Sequence, residues 1–179
     1  MNTSIYNYQL VKSKNYYCLA ALFETIFKTE GLQLNQTKIG NKLGIILPNS
    51  GVNVNEDKLG IQIDIFKFNS FFKSLSLNYI AAYIPANTIF DGELDIIIND
   101  YIAQNSHIII AYNYDQLYKN IRSKIGHVSL VKEVKLNKIF LLDPGPKTFG
   151  EFSFDLDNVF EAMRFRDGGI LVLNSSTQL

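Results

Sequence analysis

The chain is poor in the residues most often used for chemistry. It has one cysteine and two histidines in 179 residues. A single cysteine excludes an internal disulfide framework and any multi-cysteine zinc or iron–sulfur site. Two histidines exclude a three-histidine metal centre, and the sequence points to no metal and no cofactor. Charge of either sign is lacking in excess: 17 basic residues balance 17 acidic ones. Sequence-independent nucleic-acid binding and attachment to an anionic membrane both need a basic surplus, so neither is expected. No run approaches the eighteen apolar residues of a membrane span, and membrane insertion is not expected. The first fifteen residues are polar and lack the basic start and apolar run of a secretory signal. A lone unpaired thiol suits a reducing interior, so the expected location is cytoplasmic.

What is present is the material of a folded core. Apolar residues make up 47% and charged residues 19%, which argues against intrinsic disorder. A chain of this length buries roughly 70% of the surface it exposes when unfolded. No internal repeat or Pro/Ser-rich linker divides it, so residues 1–179 read as a single domain.

Periodicity places the elements. Leu19, Leu22, Phe23, Ile26 and Phe27 fall on one helical stripe, with Asn15 as expected N-cap and Gly31 as stop. A second, shorter helix opens at Asn35 or Gln36, runs through Ile39 and Leu43, and closes at Gly44. Pro48 to Asp57 reads as a loop. Ile61, Ile63 and Ile65 alternate with polar residues and suggest a strand or short edge segment. A helical pattern through Phe71, Phe72, Leu75 and Leu77 precedes a strand from Tyr79 to Ile84, ending at Pro85. Leu94 to Ala103 reads as a helix. His107 to Tyr112 is a buried-strand run. Val128 to Glu133 and Ile139 to Leu142 flank a polar turn at Leu136-Asn137, an antiparallel hairpin. A helix over Leu156 to Met163 and a strand over Ile170 to Leu173 complete the chain. Helices first and antiparallel strands after them predict an α+β fold in two layers, an N-terminal helical layer packed on a C-terminal antiparallel sheet.

Cys18 sits in the first turn of the leading helix. Unsatisfied backbone N–H groups and the macrodipole favour an anion there by about 0.3–1 kcal/mol, up to ~2 when partly buried. A thiolate is such an anion, and it needs a base or cation nearby to form at neutral pH. His127 begins the first hairpin strand, and Asp143 ends the second, sixteen positions later. Antiparallel pairing returns Asp143 to the His127 end, within about two residues of register. A carboxylate there can fix one imidazole nitrogen and leave the other free to take a proton from a thiol. Pro144 cannot extend the ladder, so the carboxylate is expected at the sheet rim. His107 has no local carboxylate and reads as structural.

These residues carry a resemblance. Cys18-Leu19-Ala20-Ala21-Leu22, then Gly126-His127-Val128-Ser129-Leu130-Val131, then Ile139-Phe140-Leu141-Leu142-Asp143-Pro144 resemble the papain-like cysteine peptidases that process bacteriocin leaders. These are the double-glycine leader peptidases and their stand-alone relatives. The resemblance spans roughly residues 9–173 and rests on those three patches. It implies a papain-like fold with the site between helices and sheet, and a peptide or amide substrate. It further implies Cys18 as nucleophile, His127 as general base and acid, and Asp143 as the group orienting His127. Attack on an amide carbonyl would give a thioester that water hydrolyses. Such families place a Gln about six residues before the cysteine to bind the oxyanion. Here Lys12 stands at that position, which leaves Gln9, Asn15 or backbone amides as candidates. Leu19 follows the cysteine where many relatives carry Gly. The same three residues also fit an acyltransferase, while Lys12 and Leu19 fit a papain-like binding module without turnover. Relatives that form the front domain of a transporter carry transmembrane segments, absent here, so a free-standing version is expected.

Overall fold

The computed structural model describes residues 6–48, 55, 58–123, 125–165 and 167–175. Helices α1 (Cys18–Thr29), α2 (Gln36–Lys42) and α3 (Ile65–Ser74) precede strand β1 (Tyr79–Pro85). Then follow α4 (Leu94–Ala103), β2 (His107–Asn113), α5 (Tyr114–Lys119), β3 (Gly126–Lys135), β4 (Lys138–Asp143), β5 (Gly150–Asp155), α6 (Leu156–Arg164) and β6 (Gly169–Ser175). The strands form one six-stranded sheet in the order β1-β6-β2-β3-β4-β5. All neighbours pair antiparallel.

The central strands are apolar on both faces, and strand alternation divides them. Ile109 of β2, Val128 and Leu130 of β3 and Leu171 and Leu173 of β6 join the cluster built by α1, α2 and α3. Ile108, Ile110, Val131, Ile170 and Val172 point the other way and meet α4 and α6. Helical cover is therefore not confined to the N-terminal elements. A sheet whose inner strands read as unbroken apolar runs needs cover on both sides. The isoleucine run of β2 carried that information.

The stripe on α1 is buried along its length. Phe23 packs edge-on against Phe68 and Phe72 of α3, with ring centroids 5.4 and 5.6 Å away. Burying each such ring contributes about 1.5–3 kcal/mol. Asn15 is not the N-cap of α1; Tyr17 holds that position, and no side chain caps the helix. Leu32 N–H returns to the Phe27 carbonyl as the helix ends, with Gly31 at φ +81° between them. Asn35 does cap α2, accepting from Lys38 N–H at 3.0 Å.

Other expectations shift. Ile61 and Ile63 lie in no strand; only Gly60 bridges to Ile46, and Ile65 opens α3 under an Asp64 cap. Most of the loop read over 48–57 lies outside the described residues. The hairpin turn holds Leu136 and Asn137 at φ 51° and 59°, which matches the twist of its strands. Helix α5 and edge strand β5 were not anticipated. No described helix is long and apolar enough to cross a membrane.

The segment ahead of α1 is stitched to distant elements. Val11 N–H donates to Thr25 Oγ1, Lys14 N–H to Gln36 Oε1, and Ser13 N–H to the Pro144 carbonyl at 2.7 Å. The last bond ties the approach to Cys18 directly to the residue after Asp143.

Candidate functional site

Cys18 is the first residue of α1 and is half-buried. No side chain among the described residues caps this terminus, so its first-turn N–H groups lack a capping carboxylate or hydroxyl there. His127 stands near the start of β3, opposite Tyr112 of β2. On the other side, Leu130 pairs with Leu142, so the chain reaches Asp143 one step later and brings it to the His127 end. His127 Nε2 lies 2.9 Å from Asp143 Oδ1. Cys18 lines the same cleft as His127, and the two side chains interact electrostatically. With Nε2 taken by the carboxylate, Nδ1 is left for the thiol. The structure thus brings Cys18, His127 and Asp143 together.

The electrostatics follow from this packing. Burial works against the charged form of His127, but its hydrogen bond to the Asp143 carboxylate and its interaction with Cys18 outweigh it and hold the imidazole up to about 9. Burial likewise pushes the Asp143 carboxyl up, yet His127 and two hydroxyls bring it below the ordinary carboxylate value. Asp143 is fully buried and accepts four hydrogen bonds. Oδ1 takes His127 and, at 2.7 Å, Gly145 N–H. Oδ2 takes the Tyr118 hydroxyl at 2.5 Å and the Thr148 hydroxyl at 2.7 Å. A buried carboxylate so supplied keeps its charge. Gly145 makes the return possible: it has φ +87°, and a Cβ there would lie 2.8 Å from the Thr148 carbonyl.

Tyr112 and Tyr114 set the plane of the imidazole, meeting it edge-on at 5.7 and 5.4 Å. Cys18 and His127 open onto a cleft of about 690 Å³, walled also by Tyr83, Ala111, Lys147 and Asp167. That volume is in the range of small-molecule and peptide sites.

The oxyanion candidates separate. Gln9 is exposed and lies outside the cleft. Lys12 is also exposed, and its carbonyl accepts from Gln36 Nε2. Asn15 lines the cleft beside Cys18 and Leu19. Tyr112, Tyr114, Tyr118 and Thr148 escaped the sequence reading. The spacing of Tyr114 and Tyr118, one helical turn apart just after a buried strand, was the available signal.

His107 lies at the opposite end of β2 and is fully buried. Its Nδ1 is 2.8 Å from Tyr8 hydroxyl and its Nε2 is 3.2 Å from Tyr79 hydroxyl. Glu30 Oε1, at 3.4 Å, supplies the carboxylate that sequence did not reveal. Burial drives the imidazole down to about 3. Among the described residues, no group of three His, Cys, Asp or Glu side chains is placed to hold a metal ion.

No protein-family model matches the sequence, and no curated protein matches it significantly. Solved structures do match. A C39-like peptidase from Bacillus anthracis superposes with a TM-score of 0.67 at 10% identity, covering 97% of each chain. A double-glycine motif protease from an AMS/PCAT transporter, solved in complex with the leader peptide, gives 0.55 at 8% identity. That match covers 97% of this chain and 94% of the other. The peptidase domain of Streptococcus ComA, a bifunctional ABC transporter involved in quorum sensing, gives 0.59 at 13% identity, covering 94% and 98%. Over nearly its whole length this chain is similar in fold to C39-like, double-glycine leader peptidase domains.

Proposed function

We propose that the chain is a single-domain cysteine peptidase, acting on a peptide in the cytoplasm through a thioester intermediate. The observation that carries this reading is the sequence of contacts Asp143–His127–Cys18, in which one carboxylate holds a proton on the imidazole that faces the thiol. In the proposed reaction the Cys18 thiol gives its proton to His127, and the sulfur attacks the amide carbonyl. His127 protonates the departing amine, leaving an acyl thioester on Cys18. His127, now neutral, takes a proton from water as it attacks, and the acid departs with return of the thiol. Asp143 stays ionised throughout and fixes the ring. The oxyanion would be met by first-turn N–H groups of α1, with Asn15 rather than Gln9 as the side-chain donor. A leader peptide occupies one of the similar structures, which supports a peptide as substrate.

The placement of Gln9 outside the cleft favours a second reading, a papain-like binding module without turnover. Alkylation by iodoacetamide at pH 6–7 separates the two. An activated thiol reacts at least ~10-fold faster in the intact chain than in the His127→Ala variant. Equal rates in the two proteins remove the peptidase reading and leave the binding module.

A further inference from the structure

Helix α5 contributes a side chain to the site that no part of the thiol–imidazole–carboxylate scheme requires. We propose that Tyr118 is a positioning residue: its phenol locks the Asp143 carboxylate in the orientation that serves His127. The inference rests on the proposed role of Asp143 as partner to His127.

The division of labour around Asp143 is the starting point. Oδ1 serves His127 and Gly145, while Oδ2 serves Tyr118 and Thr148. Rotation of the carboxylate would disturb all four bonds at once. Gly145 and Thr148, however, belong to the loop that follows Asp143 and move with it. Tyr118 comes from α5, 25 positions earlier. Apart from His127 itself, it is the donor that ties Asp143 to an element other than its own loop.

Tyr118 is itself well fixed. Its ring stacks on Tyr114 at 4.7 Å and meets Phe152 and Phe154 of β5 edge-on at 5.6 and 5.2 Å. Its phenol interacts electrostatically with that of Tyr112, whose own hydroxyl lies 2.7 Å from Ser129 Oγ. Two hydroxyl pairs, Ser129–Tyr112 and Tyr118–Asp143, therefore stand beside the imidazole. One turn of α5 separates Tyr114, which braces the His127 ring, from Tyr118, which braces its carboxylate. The helix is anchored by Asn113, which accepts from Gln116 N–H at 2.9 Å, and by Tyr114 N–H on the Ile125 carbonyl. Burial and the Asp143 charge both push the Tyr118 phenol upward, so it remains a donor throughout the working range.

The groups facing the Tyr118–Asp143–His127 assembly come from β2, α5, the loop after β4 and α1. They are Tyr112 on β2, Tyr114 on α5, Thr148 in the loop after β4, Cys18 on α1, and the ammonium groups of Lys119 and Lys147 over the Tyr114 ring. None of them replaces the phenol on Oδ2 except Thr148, which is already bound there. Without the phenol, burial still lowers the His127 titration while the opposing bond from Asp143 weakens.

The test uses the full chain with Tyr118→Phe, which keeps the ring contacts and deletes one oxygen. Imidazole 15N–1H NMR follows His127 from pH 5 to 10, with His107 as an internal reference. The expected result is a His127 midpoint at least 0.5 pH unit lower, with iodoacetamide alkylation of Cys18 at pH 7 slowed about 3–10-fold. An unchanged midpoint in folded Tyr118→Phe overturns the proposal, since ring packing alone would predict that outcome. If that variant does not fold, Tyr112→Phe carries the test through the next hydroxyl. A smaller shift in the same direction supports the lock, and none overturns it. The NMR readout does not depend on Cys18 reactivity. Slow alkylation of the unsubstituted chain would count against the peptidase reading, while the His127 midpoint would still decide the role of Tyr118.

Discussion

The two histidines of this chain occupy opposite ends of the same sheet, and they make a controlled comparison. Each is buried, each is flanked by tyrosines, and each has a carboxylate within reach. Their protonation differs sharply: His127 is held up to about 9, whereas His107 is driven down to about 3. Burial acts in the same direction on both, so Asp143, with Cys18 beside it, must account for the difference. Asp143 is fully buried, 2.9 Å from its imidazole, and saturated by donors. Glu30 stands 3.4 Å away with 38% of its side chain exposed, and phenols occupy both nitrogens of His107. A carboxylate that is itself fixed and shielded from water is better placed to offset the desolvation of a buried imidazole.

The largest expected effect comes from making one end resemble the other. Asp143→Ala removes the carboxylate and strands four donors: His127, Tyr118, Thr148 and Gly145 N–H. Breaking a buried pair in this way costs about 3–5 kcal/mol, read as a lower urea midpoint with unchanged slope. With Cys18 left as the opposing group named for His127, burial should then weigh more heavily and the midpoint should fall well below 9. A His127 midpoint that stays near 9 in Asp143→Ala would break the comparison.

The second expectation concerns pH, and the two ends should act with opposite sign. His127 binds its proton more tightly folded than unfolded. Its contribution is therefore complete below about 6.5 and is lost as pH rises through about 9. His107 is neutral in the fold, so its contribution is complete above about 6.5 and is lost as pH falls toward 3. Stability should peak near the ordinary imidazole value, with each limb sloping by at most roughly 1.4 kcal/mol per pH unit. Below the ordinary carboxylate value of 3.8, protonation of Asp143 adds to the acid loss. The His107 limb is consequently read between pH 4 and 6.5. Urea titrations across pH check this with His127→Gln, which should flatten the alkaline limb alone, and His107→Gln, which should flatten the acid limb alone. Flattening of the wrong limb by either variant would reverse the assignment.

The two ends also differ in how far they could be read from the amino-acid sequence. The pairing of His127 with Asp143 was legible because a hairpin is local: its turn at Leu136-Asn137 fixes which residues return to the same end. The stripe on α1 placed Cys18 at a helix start by the same kind of local rule. The His107 end offered nothing comparable. Glu30 closes α1, and only packing of that helix on the sheet brings it to the start of β2. The segment from Tyr6 to Tyr17 was equally opaque. It has no periodic pattern, and its path depends on Thr25, Gln36 and Pro144. That is why Gln9 was a reasonable oxyanion candidate and why Asn15, expected as a cap, instead lines the cleft. Helix α5 is six residues long, so a single Tyr114–Tyr118 spacing was all the periodic signal it could carry. Edge strand β5 did carry a readable alternation, with Phe152 and Phe154 separated by Ser153.

The smallest expected effect sharpens the comparison from the weak side. If exposure disables Glu30, then Glu30→Gln should change little. The substitution keeps the shape and one acceptor while removing a charge that water already screens. A half-exposed pair of this kind contributes at most ~1 kcal/mol, and here the imidazole is not charged at neutral pH, so a loss within about 0.5 kcal/mol is expected. The His107 midpoint should remain far below the ordinary range, because burial rather than Glu30 sets it. Urea unfolding at pH 7 and the imidazole NMR titration measure both quantities. A stability loss as large as that of Asp143→Ala would mean that Glu30 is an anchored partner after all. The two ends would then differ in the phenols around the ring, Tyr8 and Tyr79 against Tyr112 and Tyr114, and not in how well each carboxylate is held.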